Sequence, residues 1–117
     1  MPKVLPREHR MVNPADFTTA IKGVRGGSKY LVVHMSDQSD SGTLVGFIVP
    51  KKVLPHAVDR NLVRRRLRHL MATRLERIQG RKIAIRVLPG VREANFQQLG
   101  QALDTALGKA AKKAEAK

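Results

Sequence analysis

The chain has 117 residues, enough to build one hydrophobic core and not two. Lys and Arg outnumber Asp and Glu by 23 to 9, a net charge of +14, which points to a polyanionic partner: RNA, DNA or an acidic membrane surface. Cysteine is absent, excluding a disulfide framework, a thiolate nucleophile and Cys-ligated zinc, and fitting a reducing cytoplasm.

In chain order, residues 1–12 read as a basic, proline-interrupted, extended arm. Its start, Met1-Pro2-Lys3-Val4-Leu5-Pro6-Arg7, lacks the apolar core of a signal peptide. Asn13-Pro14-Ala15-Asp16 reads as a helix start, with Asn13 as cap, Pro14 at the first helical position and Asp16 complementing the helix dipole. Phe17, Ala20 and Ile21 share a face of this short helix, and Gly23 offers a stop. Gly26-Gly27-Ser28 reads as a turn, Tyr30 to Met35 as a strand and Ser36 to Gly42 as a polar loop. Leu44 to Val49 is a second strand, with Pro50 at its end.

The spacing then predicts a basic helix from Ala57 to Ile78, with Gly80 after its last turn. Lys82 to Leu88 is a further strand closed by Pro89-Gly90, and a last helix runs from Glu93 to Lys109. Phe96, Leu99, Leu103 and Leu107 recur in that helix at core spacing, as Phe17 and Ile21 do in the first, and residues 110–117 read as a flexible polar tail. No apolar run approaches the roughly 20 residues a membrane-spanning helix needs. The expected fold is a small α/β (α+β) domain over residues 13–109, in the order α-β-β-(β)-α-β-α, with a mixed sheet covered by helices.

The basic helix carries the functional signal. Arg60 to Arg68 holds five arginines and one asparagine in nine residues, and no acid occurs from there to Thr73. At about 100° per residue, Asn61, Arg64, Arg65 and Arg68 fall on one face, while Val63, Leu67, Leu70 and Met71 fall on another that can be buried. Like charges crowded on one rigid surface repel, and a polyanion laid against them relieves that cost. Lys51-Lys52 lies just upstream, so two lysines and five arginines fall within 18 residues. Arginine can hold phosphate oxygens through a planar donor fork, whereas lysine acts as a point charge. With three Phe, one Tyr and no Trp, base stacking is the lesser grip.

Catalytic patterns are missing. His9, His34, His56 and His69 have no metal-ligand spacing, the nine acidic residues are dispersed, and there is no phosphate-cradling Gly-rich loop or nucleophile elbow. A helix-turn-helix DNA regulator is disfavoured because strands flank the basic helix.

These residues resemble a known family, the protein subunit of bacterial ribonuclease P. The resemblance is carried by Val45-Gly46-Phe47-Ile48-Val49, Lys51-Lys52-Val53, Ala57-Val58-Asp59-Arg60-Asn61, Arg64-Arg65 and Arg68. Asp16-Phe17 after a basic arm with Arg10, and a strand ending in Leu88-Pro89, extend it over about Arg10 to Leu107. It implies a fold similar to a ribosomal-protein domain, with a left-handed strand–helix–strand crossover against the usual rule. It also implies a role: the family's RNA cuts precursor tRNA at the mature 5′ end by metal-assisted hydrolysis, and the protein assists.

Carried over, the resemblance places Arg60, Asn61, Arg64, Arg65, Arg68 and Lys52 against the catalytic RNA, with Arg10 of the arm as a further RNA contact. It places Phe17, Ile21, Val33, Phe47, Lys51 and Arg86 along a cleft for the single-stranded 5′ leader. Ile21 and Val33 stand where many relatives carry an aromatic, and Leu62 stands where the family has a further arginine. No catalytic residue, metal site or cofactor is implied for the polypeptide; Mg2+ is required by the RNA subunit. The expected partners are ribonuclease P RNA and precursor tRNA, with the protein a monomer in a cytoplasmic ribonucleoprotein and no membrane involved. The alternative is a ribosomal or other structural RNA-binding protein.

Overall fold

Asn13 opens the first helix as its position predicts: its side chain accepts a hydrogen bond from the Ala15 N–H at 3.0 Å, and Pro14 takes the first helical position. In the computed structural model, which describes residues 5–38 and 42–116, this helix (α1) spans Pro14–Ile21. Strands β1 (Val24–Gly27), β2 (Leu31–Met35) and β3 (Leu44–Ile48) follow, then helix α2 (Ala57–Ala72), strand β4 (Lys82–Val87) and helix α3 (Phe96–Glu115). The sheet order is β1-β2-β4-β3, antiparallel from β1 to β4 and parallel between β4 and the edge strand β3. The result is an α+β domain with a mixed four-stranded sheet and three α-helices.

Alternation along the strands divides the interior into two layers. Leu31, Val33, Met35, Val45, Ile83, Ile85 and Val87 join Val63, Leu67, Leu70 and Met71 of α2 and Leu99, Leu103 and Leu107 of α3 in the main core. Each leucine buried there contributes about 1.5–3 kcal/mol. On the other face a small cluster of Met11, Ala20 and Ala84 seats α1, with Phe17, Leu44 and Ile48 packed around it. The Asp16 carboxylate meets Lys82 Nζ at 2.9 Å, so the acid in the first turn of α1 pins that helix to β4.

Five sequence expectations change. Gly26 and Gly27 belong to strand β1 rather than a turn. The backbone of α3 lies directly on Gly26, where a Cβ would stand 2.5 Å from the Ala106 carbonyl oxygen and 2.6 Å from the Ala110 nitrogen. The basic helix ends at Ala72, and Leu75–Ile78 forms a separate 3-10 turn. The carbonyl of Leu70, which the Arg74 amide would take in a continuing helix, instead receives the Thr73 hydroxyl and the Arg74 guanidinium, while that amide bonds Met71.

The last helix begins later and ends later than its leucine spacing suggests. Asn95 and Gln98 form a reciprocal capping box that places its start at Phe96, and the polar tail expected from Ala110 is its continuation to Glu115. Ala110 is fully buried because α3 crosses β1 there. Phe96, at the helix start, is 47% exposed and Ile21 is 40% exposed, so neither is a core residue. Finally, the arm is folded onto the domain. Leu5 is buried, Arg7–His9 makes one 3-10 turn, and Arg10 pairs in parallel with Val45 on the outer edge of β3; residues 1–4 lie outside the described ones.

Candidate nucleic-acid interface

Helix α2 buries Val63, Leu67, Leu70 and Met71, and this alone turns Asn61, Arg64, Arg65 and Arg68 outward. Among the described residues no carboxylate pairs with Arg64, Arg65 or Arg68. Asn61 Oδ1 is 3.5 Å from Arg64 Nη1, a long bond that leaves most of both polar heads available. Arg65 is exposed and lines a surface notch with Val58, Asn61 and Leu62. Arg60 is placed differently. Its Nη1 donates to the carbonyls of Leu54 and Pro55 at 2.9 and 2.8 Å, so it ties the helix to the loop that carries Lys51 and Lys52. Those lysines sit exposed on a turn beyond β3, where the amides of Val53 and Leu54 both bond the Pro50 carbonyl.

The arm brings a third segment to this face. Met11 N–H donates to the Val45 carbonyl at 2.9 Å and His9 Nδ1 lies 2.8 Å from the Thr43 carbonyl oxygen, which fixes the arm along β3. Arg10, held by a bond from its Nε to the Leu5 carbonyl, then joins Arg64, Arg68 and Phe17 around a groove of about 260 Å³. Gly46 makes the groove possible, because a Cβ there would stand 2.5 Å from the ring of Phe17. Partial burial, together with the charges of Arg10 and Arg64, lowers the Arg68 pKa below the ordinary arginine value. Three guanidiniums converging without an acid form a ready phosphate site.

A second groove, of about 410 Å³, lies on the same sheet face and is lined by Ile21, Arg25, Val32, His34, Arg86 and Leu88. Ile21 and Arg86 are in this groove. Val33 is not: it is fully buried on the opposite face, in the main core beneath α2 and α3. A strand alternates its side chains, so a register error of one residue changes faces, and Val33 lines no cleft with Phe17. Phe47 pairs with Ile85 and also packs on the main core, reaching only the first groove at the β3 edge.

His34 is the residue that sequence reasoning missed. It is 6% exposed, and both ring nitrogens lack a hydrogen-bond partner, as does Arg86 Nε beside it. Burial, with Arg86 and Arg25 adding repulsion, pushes its pKa down, so the ring is neutral and offers one donor and one acceptor. Unpaired buried polar groups are costly, and a ligand that bonds them removes the cost. The signal was in the strand itself: His34 is the one polar side chain in Leu31–Met35, and alternation puts it on the less covered face.

The chain matches the family model for ribonuclease P over residues 5–111. A ribonuclease P protein component from Mycobacterium sp. (strain KMS) is 41% identical, with 97% of this chain and 98% of the relative covered. One from Streptomyces avermitilis is 42% identical over 89% of this chain and 93% of its own length. In fold, the chain is similar to the RNase P protein of Staphylococcus aureus, with a TM-score of 0.77 at 23% identity over 87% of this chain and 94% of that one. It is also similar to that of Thermotoga maritima, with a TM-score of 0.69 at 20% identity over 82% and 92%. The four-stranded mixed sheet, the arginine-faced helix and these matches along nearly the whole chain lead to one statement: the chain belongs to the ribonuclease P protein family.

Proposed function

We propose that this chain is the protein subunit of a bacterial ribonuclease P, which aids an RNA-catalysed cut that frees the mature 5′ end of precursor tRNA. The outward face of α2, with Lys52 and Arg10, binds the catalytic RNA, and the grooves beneath α1 hold the single-stranded 5′ leader. One observation carries this reading. The acid-free cluster of Arg10, Arg64 and Arg68 opens beside Phe17, on the sheet face that also carries the Ile21–His34–Arg86 groove. One RNA strand can therefore leave a polyanion docked on α2 and continue over the sheet.

The physical role is charge compensation and selection. Catalytic RNA and precursor tRNA repel each other, and a +14 protein between them lowers that cost and the demand for metal ions. A groove for the leader favours precursor over mature tRNA, which has no leader to offer. Ile21 and Val32 make the groove floor aliphatic, so shape, charge and hydrogen bonds to Arg86 and His34 provide the grip rather than extended stacking. No group of three or more His, Asp and Glu among the described residues is close enough to hold a metal ion. In this reading Mg2+ serves the RNA, and the polypeptide supplies no bond-breaking group. The protein acts as a monomer in a cytoplasmic ribonucleoprotein; no described helix is long and apolar enough to cross a membrane.

Reconstitution tests the reading. The purified chain, added to a ribonuclease P RNA at low Mg2+, should restore 5′ cleavage of precursor tRNA and lower the KM for precursor more than for a leaderless competitor. Failure to restore cleavage, or cleavage by the chain without RNA, overturns it.

A further inference from the structure

Helix α3 carries a polar stripe that neither the core nor the leader groove uses. Gln98, Gln101, Thr105, Lys109 and Lys112 follow one another within about 80° of helix circumference, with Lys113 beside them. All six are exposed, and the one acid between residues 98 and 113, Asp104, lies off the stripe, held by Arg74 and Arg77 at 2.8 and 2.7 Å. With Ser28, Lys29 and Tyr30 of the β1–β2 connection, the stripe encloses a groove of about 470 Å³ whose lining includes Gln98, Gln101, Thr105 and Lys109 and no carboxylate.

The lysines are also held in place. Lys109 Nζ donates to the Gly27 carbonyl at 3.2 Å and Lys113 Nζ to the Arg25 carbonyl at 2.7 Å, both on strand β1, an edge of the sheet. Each ammonium has three donors, so further donors remain for an anion while the side chain is already ordered. Capping the edge against strand addition would account for these two lysines. It does not account for the acid-free groove next to them, or for Lys29, whose ammonium sits 5.3 Å from the centre of the Tyr30 ring.

Position decides the ligand. Arg25 lines the leader groove on the α1 face through its side chain, and its carbonyl is the one that Lys113 caps. The strand edge where that groove ends is therefore the edge where the α3 lysines begin. We infer that the α3 groove is a second RNA-binding surface, taking the sugar–phosphate backbone of the upstream leader after it passes over β1. Lys29, Lys109 and Lys113 meet phosphates, and Gln101 and Thr105 supply neutral hydrogen bonds to sugar or phosphate. This inference rests on the leader reading proposed above and extends it to a longer footprint.

The test uses the full chain reconstituted with ribonuclease P RNA and precursor tRNAs whose leaders increase in length from a few nucleotides to well beyond the first groove. The variant is Lys29→Gln/Lys109→Gln/Lys113→Gln, which removes charge but keeps amide donors for the β1 carbonyls; thermal melting checks its fold, and Lys29→Gln alone avoids those carbonyls. Wild-type affinity should rise again as the leader lengthens past the first groove. The triple variant should lose roughly tenfold on long leaders only, with the slope of log K against log salt falling by about two.

A wild-type affinity that stops rising at short leaders overturns the inference but leaves the leader reading intact. A variant that loses equally on all leaders, or in assembly with the catalytic RNA, also overturns it and assigns the groove to that RNA. Wild-type protein that does not prefer even a short-leader precursor to mature tRNA defeats the leader reading itself.

Discussion

The arginine face of α2 and the groove beneath α1 occupy the same domain but are built in opposite ways. The first is local: one helix, one periodicity, and a buried stripe of Val63, Leu67, Leu70 and Met71 that turns the cations out. The second draws on α1, β1, β2, β4 and the residue after β4, and its shape depends on how α1 is seated on the sheet, which the packing of Phe17 on Gly46 of β3 helps to fix. A charged face tolerates small shifts, because Coulomb attraction falls slowly with distance. A groove lined by unpaired buried polar atoms does not, because hydrogen bonds weaken steeply with misalignment. RNA assembly and leader discrimination should therefore be separable by mutation.

The largest separation is expected from Gly46→Ala. The new methyl group would overlap the Phe17 ring and force α1 to shift, destabilising the fold by about 1–3 kcal/mol. Calorimetry should show the lower Tm, and leader preference should collapse while affinity for the catalytic RNA changes little. Equal loss of both would mean that the two regions are coupled.

Arg68→Ala attacks the other side of the contrast. It removes a charge-assisted contact and should weaken assembly with the catalytic RNA by about 1–3 kcal/mol, read by filter-binding titration at physiological salt. Relief of its repulsion with Arg10 and Arg64 predicts unchanged or slightly raised stability of the free protein. Unaltered RNA affinity would remove Arg68 from the interface.

Phe17→Ala should act more narrowly, with a loss of about 1 kcal/mol in affinity for leader-bearing over mature tRNA, the order expected of one partly exposed aromatic contact. Matching losses for both substrates would make Phe17 a packing residue only.

The smallest effect is a pH dependence. The His34 pKa is lowered in the folded protein, so the unfolded chain binds the extra proton more readily. Stability is then complete above the ordinary histidine value of 6.5 and declines as pH falls below it. Melting temperatures at pH 7.5 and pH 5 should differ more for the wild type than for His34→Leu. The same difference in both proteins would assign the acid sensitivity to groups other than His34.

Much of this molecule could be read from residue order, and the failures have physical causes. Asn13-Pro14 marks the start of α1 because capping is a local event. The α2 stripe is equally local, and so are the three strands rich in β-branched and aliphatic residues. Strand β1 escaped notice because its glycines, poor strand formers alone, are present to admit the backbone of α3. The end of α2 was missed because Thr73 and Arg74 redirect the Leu70 carbonyl, and Arg74 is recruited by Asp104 from thirty residues away.

The face on which a strand residue lies is a parity, and parity depends on what packs against the sheet. That is why Val33 rather than His34 was placed in the cleft. By itself the sequence determined the charge of this protein, the arginine face of α2, the order of its main elements and its resemblance to a family, since all of these depend on residues close together or on simple counts. Only the tertiary structure decided that Arg10 joins Arg64 and Arg68, that the His34 ring nitrogens and Arg86 Nε are left without partners in one groove, and that the α3 lysines meet the edge of β1. Those are distances between segments far apart along the chain, and packing sets them.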